Sequence, residues 1–69
     1  MSNHTYKLIE LVGSSTTSTD DAIHNAIERA SKTLRNMDWF EVTKTRGHLQ
    51  DGMVGHFQVT LKVGIRLDD

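Results

Sequence analysis

The alternation of apolar and polar residues along the chain predicts four secondary-structure elements. Aromatic and branched residues from Tyr6 to Val12, ended by Gly13, predict a first strand. From Asp20 to about Met37, apolar residues recur every three to four positions, which predicts an amphipathic helix. Strict alternation from Trp39 to Arg46, and again from His56 to Leu67, predicts a second and a third strand.

The segments between these elements have the composition of turns. Ser14 to Thr19 is a run of hydroxyl side chains, which favour turns and helix N-caps. Ser18, followed three residues later by Asp21, approximates a capping box. Gly47 to Gly52 ends in Asp-Gly and predicts the turn that joins the second strand to the third.

The element order is β-α-β-β, which predicts an α+β fold in a single domain, residues 1–69. Strands two and three form an antiparallel hairpin, and a right-handed crossover places strand two parallel to strand one, with strand three between them. One helix covers only one face of such a sheet. The strand residues expected to pack against Ile23, Ile27 and Leu34 are Phe40, Val42, Phe57, Val59, Leu61, Val63 and Ile65.

Length and composition add an expectation of self-association. The chain has 69 residues, no cysteine and no proline. Domains below roughly 70–80 residues seldom gain more than about 3–5 kcal/mol from one core, and they add disulfides, a metal or a subunit interface. Without cysteine there are no disulfides, so we expect an oligomer in a reducing compartment. We see no signal peptide or membrane span, and we expect a cytoplasmic protein.

Charge and motifs predict a binding protein rather than an enzyme. Eight Lys+Arg against nine Asp+Glu give a net charge of -1, which disfavours nucleic acid as the main partner. The four histidines are dispersed along the sequence without the spacing of a metal site. We find no catalytic Ser-His-Asp order and no phosphate loop. The sequence therefore predicts neither catalytic nor metal-ligating residues.

The sheet face away from the helix holds the candidate binding residues. By alternation, this face carries Trp39, Gln58, Thr60, Lys62 and Arg66. An indole can stack on a flat heteroaromatic ligand, and an amide offers its ring edge both a donor and an acceptor. The alternative is that Trp39 packs against a neighbouring subunit. Arg46 and Arg66, near strand ends, either reach a phosphate or carboxylate or form solvated salt bridges.

Four segments of the sequence form a specific combination. They are Tyr6 to Ser15, Asp-Trp-Phe-Glu-Val at 38–42, Arg-Gly-His-Leu at 46–49, and His56 to Leu67 with its Gly-Ile-Arg-Leu end. Together they resemble the dodecins, a family of small flavin-binding proteins, over nearly the whole chain. The resemblance implies a hollow homododecamer in which a three-stranded antiparallel sheet is partly wrapped around each helix.

The resemblance also implies a flavin site at subunit contacts. Flavins would bind there in pairs, each isoalloxazine stacked on Trp39 and hydrogen-bonded by Gln58. Arg46 and Arg66 match basic positions of bacterial dodecins, so FMN is expected rather than riboflavin, which stays the alternative ligand. Lys7 matches a further flavin-contacting position.

A coenzyme A site is a second implication of the resemblance. Some bacterial dodecins hold coenzyme A near trimer contacts. The matching positions here are His4, Thr5, Tyr6, Arg29, Thr33, Leu34 and Arg35. The two helix arginines among them are otherwise explained as solvated side chains.

Stacking on an electron-rich indole implies quenching of the flavin by electron transfer. The expected function is therefore storage and sequestration of FMN, without catalysis. One alternative is a small flavin-dependent oxidoreductase, with His56 or Glu41 as acid or base. Another is an assembly that binds coenzyme A or a nucleotide without a redox role.

Overall fold

The four elements follow one another in the predicted order. The computed structural model describes residues 3–68, so residues 1–2 and 69 of the predicted domain lie outside the described residues. The elements are β1 (Tyr6–Ser15), α1 (Thr19–Ser31), β2 (Met37–Gln50) and β3 (Met53–Arg66). β3 lies between β1 and β2 and is antiparallel to both. The predicted α+β fold, with one helix and a three-stranded antiparallel sheet, is confirmed.

Side chains of the hydroxyl-rich segment fix the start of α1. The Ser18 hydroxyl accepts a hydrogen bond from the Asp21 backbone N–H at 3.0 Å, as an N-cap does. Asp20 and Asp21 place negative charge at the positive end of the helix. The buried Ser15 hydroxyl donates to Asp21 Oδ2 at 2.6 Å and accepts from the Thr17 backbone N–H at 2.9 Å. These bonds tie the end of β1 to the first turn of α1.

The predicted end of the helix at Met37 is wrong, because α1 ends at Ser31. The backbone N–H groups of Thr33 and Leu34 both bond to the Ala30 carbonyl, which tightens and closes the last turn. Asn36 then adopts a left-handed φ of 62° and directs the chain into β2. No helix within residues 3–68 is long and apolar enough to cross a membrane.

All three strands run further than predicted, and β3 begins at Met53 rather than at His56. β1 continues through Gly13 to Ser15, and β2 continues through Gly47 to Gln50, because both stay paired with β3 over these residues. The turn is therefore only Asp51 and Gly52, whose φ angles of 53° and 77° suit a tight hairpin turn. The predicted turn at 47–52 is too long by four residues, all of which lie in β2.

The core lies between α1 and the two strands β1 and β3. Its fully buried members are Ala22, Val59, Leu61 and Val63. Gly13 allows the helix to lie this close to β1, because a Cβ at that position would come within 2.8 Å of Ala26 Cβ. The core is small, as expected for a chain of this length.

Beyond Met37, which packs against the core, β2 lies out of reach of the helix, contrary to the predicted packing. Phe40 and Val42 are 49% and 40% exposed. Phe40 borders an open groove with Ile23 and Ile27 instead of closing against them. Leu34 lies on the other side of the helix, in a groove along β1. A helix of 13 residues placed over β1 and β3 leaves the apolar side of β2 uncovered.

Candidate functional site

The sheet face opposite α1 carries a tryptophan that lies over a glycine. Trp39 on β2 is the register partner of Gly64 on β3. A Cβ at position 64 would come within 2.6 Å of the indole Nε1, so glycine is what allows the indole to lie against the β3 backbone. The indole remains 42% exposed. It is therefore positioned by the sheet and still accessible to a ligand or to another chain.

Tyr6 and Asp38 flank this indole. A register shift between Met37 and Trp39 leaves Asp38 as an extra residue, a β-bulge at the start of β2. The Tyr6 hydroxyl donates to Asp38 Oδ2 at 3.0 Å, and this hydrogen bond raises the pKa of Tyr6. The rings of Tyr6 and Trp39 meet edge to face, with centroids 5.9 Å apart. Contacts from two strands thus orient Trp39.

A second bulge, at Thr43, brings Arg46 onto the face of Trp39. Strict alternation from Trp39 would put Arg46 on the opposite face. The register shift at Thr43 reverses the alternation, so that Arg46 lies directly opposite Gln58. The Thr43 hydroxyl donates to the backbone carbonyl of Thr60 at 3.2 Å, which stabilises the bulge.

Trp39 and Gln58 share a face but lie at different ends of it. Gln58 is six residues from Gly64 on β3, which corresponds to about 20 Å at the usual rise of a strand. Gln58 therefore does not lie beside the indole of its own chain. The face has an indole end, with Tyr6, Trp39, Gly64 and Arg66, and an amide end, with Arg46 and Gln58.

Lys7 lies on the other face of the sheet. Its register partner is Ile65, whereas the neighbouring Tyr6 pairs with Arg66 on the open face. The structure therefore does not bring Lys7 together with the indole end or the amide end of the same chain.

A separate groove runs between the end of α1 and the edge strand β1. It has a volume of 610 Å³, and its lining includes Arg29, Thr33 and Leu34 together with Leu11 and Ser14. Three of the positions predicted to contact coenzyme A are thus brought together.

The other four predicted positions do not line this groove. Arg35 is exposed just beyond it in the chain. His4 and Thr5 precede β1, where the Thr5 carbonyl accepts a hydrogen bond from the Leu67 N–H. Tyr6 belongs to the indole end.

Two of the four histidines meet in the β2–β3 hairpin. Within residues 3–68, no three histidine, aspartate or glutamate side chains converge as metal ligands. His48 and His56, however, are register partners, and their rings meet edge to face with centroids 6.2 Å apart. Sequence reasoning missed this pair because it assigned His48 to a turn. Centring the turn on Asp-Gly would have placed His48 opposite Gly55, and only the register shift between His48 and Leu49 brings it opposite His56.

The fold and this face define a small α+β protein with a tryptophan held on an otherwise open sheet. The Dodecin family model matches residues 5–68. A dodecin from Thermus thermophilus is 48% identical over 64 residues, which cover 93% of this chain and 93% of that one. The chain belongs to the dodecin family.

Solved dodecin structures have the same architecture. Dodecin from Streptomyces davaonensis is 57% identical, with a TM-score of 0.92 and coverage of 99% of this chain and 100% of that chain. Dodecin from Streptomyces coelicolor is 56% identical, with a TM-score of 0.93 and coverage of 100% and 99%. The resemblance noted in the sequence is thereby confirmed at the level of family and fold.

Proposed function

We propose that this protein binds FMN between copies of its chain and stores it in a quenched form. The observation that carries the proposal is Trp39, which lies over Gly64 on the open sheet face with 42% of its surface exposed. An indole held by backbone on one side and accessible on the other is a stacking platform for a flat ring system. Membership of the dodecin family supports the same ligand class.

Stacking accounts for both affinity and quenching. Stacking of a nucleobase on an aromatic side chain contributes about 1–3 kcal/mol, and the larger isoalloxazine ring offers at least as much contact area. Tyr6, edge-on to the indole and hydrogen-bonded to Asp38, limits the rotation of the platform. Trp39 in contact with the ring donates an electron to the excited flavin, so bound FMN is neither fluorescent nor photoreactive.

The distance between the two ends of the face supports a site shared by two or more chains. Gln58 is about 20 Å along β3 from Gly64, beyond the reach of a flavin stacked on Trp39 of the same chain. A second copy would supply its amide end to the indole end of the first. The Gln58 amide carries the donor and the acceptor that match the N–H and C=O groups of the flavin pyrimidine edge.

Uncovered apolar side chains supply the surface for this assembly. Leu8 and Val12 on β1 are 53% and 60% exposed, and Phe40 and Val42 on β2 are also largely open to solvent. Burial of these groups between copies would add to the small core of the monomer. We propose a homododecamer, in keeping with the family resemblance.

Two exposed arginines on the same face favour FMN over riboflavin. Arg46 lies opposite Gln58 at the amide end, and Arg66 lies opposite Tyr6 at the indole end. A guanidinium binds a phosphate through paired charge-assisted hydrogen bonds. Lys7, on the other face, would contact a flavin only across a subunit boundary.

Three measurements on the purified assembly test the proposal. Light scattering should give a particle of about twelve times the 7.8 kDa chain. FMN added to the protein should lose its fluorescence on binding until the sites are saturated. Extraction of the bound ligand should then recover FMN unchanged. A protein that ignores added FMN would refute flavin binding. Oxidation of a nicotinamide donor faster than by free FMN would refute storage in favour of an oxidoreductase.

The groove beside α1 favours coenzyme A as a second ligand. Its volume of 610 Å³ and the position of Arg29 on its wall suit a nucleotide with phosphates. Calorimetric titration with coenzyme A, compared between the wild type and Arg29→Ala, tests this site. If the wild type and Arg29→Ala bind coenzyme A with equal affinity, coenzyme A binds outside this groove. If neither protein gives a heat of binding, coenzyme A is not a ligand.

A further inference from the structure

The hairpin formed by β2 and β3 brings two imidazoles together on an exposed surface. His48 and His56 are directly opposite each other in the antiparallel ladder. Their ring centroids are 6.2 Å apart, with 76° between the ring planes. Both side chains are exposed on the surface of the single chain. This pair plays no part in the function proposed above.

The spacing of the two rings is close to that of two histidines on one metal ion. With Zn–N bonds of about 2.0–2.1 Å, two imidazoles on a shared ion have centroids about 5–6 Å apart, depending on the N–Zn–N angle. A small rotation of the side chains brings these rings from their edge-to-face contact into that range. Binding of one ion by both side chains requires a nitrogen of each ring to face the same point.

The backbone holds the pair in position before any ion binds. Directly opposite residues of an antiparallel pair have Cβ atoms about 4.5–5.5 Å apart. The ladder is paired on both sides of the histidines, at Gly47 with Phe57 and, after a bulge at Gly55, at Leu49 with Val54. Only side-chain freedom is lost on binding, which lowers the entropic cost.

We propose that His48 and His56 form a binding site for a divalent transition-metal ion of the Zn²⁺ type. Imidazole nitrogen is a preferred ligand of Zn²⁺, Cu²⁺ and Ni²⁺, whereas Ca²⁺ and Mg²⁺ prefer oxygen. Within residues 3–68, no third histidine or carboxylate joins the pair, so water or another chain completes the coordination. Arg46 is the next residue along the same face. Repulsion between its positive charge and the metal ion lowers the affinity of the site, so the ion would be exchangeable.

Calorimetric titration of the metal-free full-length assembly with ZnCl₂ tests the site. We expect saturable binding with one ion per chain. His48→Ala and His56→Ala should each weaken the affinity at least about tenfold, since losing even a supporting group of a metal site costs about 10–100-fold. His24→Ala, on the exposed surface of α1, is the matched control and should bind Zn²⁺ as the wild type does. CaCl₂ should give no saturable heat at the same concentrations.

A second measurement on the wild type does not depend on the folding of a variant. The chain has four histidines, and Zn²⁺ should shift the NMR signals of two imidazole rings and leave the other two in place. Shifts assigned to His48 and His56 support the site. The proposal is overturned if no saturable binding is found, if His24→Ala weakens binding as much as His48→Ala, or if the shifted signals belong to His4 or His24.

Discussion

Trp39 lies against Gly64 across the β2–β3 ladder, and no larger residue fits beneath the indole. A Cβ at position 64 would come within 2.5 Å of the indole Cζ2 and within 2.6 Å of Nε1. The place of the tryptophan on the open face therefore depends on a residue that has no side chain. This relationship makes Gly64 part of the proposed flavin site although it presents no binding group.

Gly64→Ala should displace the indole and weaken FMN binding. We expect the Kd for FMN to rise about 5- to 150-fold, which corresponds to the loss of about 1–3 kcal/mol of stacking. Titration followed by flavin fluorescence measures this change. Gly55→Ala on the same strand is the matched control, because its Cβ would meet the end of the flexible Gln50 side chain at 3.2 Å. Unchanged FMN affinity in Gly64→Ala would argue against the indole as the platform.

Arg46→Ala should weaken the binding of FMN and leave the binding of riboflavin unchanged. A charge-assisted hydrogen bond contributes about 1.5–3 kcal/mol, so loss of a phosphate contact should raise the Kd for FMN about tenfold or more. Riboflavin, which has no phosphate, should bind the variant and the wild type equally. Lys44→Ala removes the same charge from the same strand and serves as the control. If both ligands lose affinity equally, Arg46 does not contact the phosphate.

The pKa of Tyr6 should exceed its usual value of 10.0, because its hydroxyl donates a hydrogen bond to Asp38. The neutral phenol is the form that this bond stabilises. The stabilisation is therefore present below pH 10.0 and is lost as the pH rises through the raised pKa.

Absorbance of the tyrosinate gives this pKa directly, since Tyr6 is the single tyrosine of the chain. Asp38→Ala should shift the titration toward lower pH, because the acceptor is gone. A titration that is identical in Asp38→Ala and the wild type would show that the contact is absent in solution.

Ser15→Ala should destabilise the fold more than Ser14→Ala. The Ser15 hydroxyl is buried and joins Asp21 to the backbone N–H of Thr17, and loss of a buried hydrogen-bonding partner costs about 1–3 kcal/mol. Ser14 is exposed on the opposite face, where substitutions stay within about 0.5 kcal/mol. Thermal unfolding at one protein concentration compares the two, because assembly makes Tm depend on concentration. Equal Tm values would show that the Ser15 bonds contribute nothing to stability.

The order of elements and the strand topology were predictable because their signals are local and repeated. Alternation from Phe57 to Ile65 marks β3, and the helical spacing from Ala22 to Ala30 marks α1. Hairpin and crossover rules then leave one arrangement of three strands. Trp39 was correctly assigned to the uncovered face, because the alternation of the two faces is uninterrupted from Trp39 to Val42, before the bulge at Thr43.

The errors arose where long-range pairing overrides the local pattern. The bulge at Thr43 exists only in register with β3, so the sequence did not predict that Arg46 turns to the face of Trp39. Leu34 and Met37 keep helical spacing after α1 has ended, because Leu34 lines the groove along β1 from the connection and Met37, the first residue of β2, packs beside the core. The separation of Gln58 from the indole likewise follows from register and strand length.

The central claim, that flavin stacks on Trp39, is tested most directly by titrating FMN into the assembled wild type, Trp39→Ala and Trp39→Phe. The account predicts tight, fully quenched binding by the wild type. It predicts intermediate affinity for Trp39→Phe, which keeps a ring but loses the electron-rich indole, and weak binding with bright flavin for Trp39→Ala. Unchanged affinity together with unchanged quenching in Trp39→Ala would contradict it.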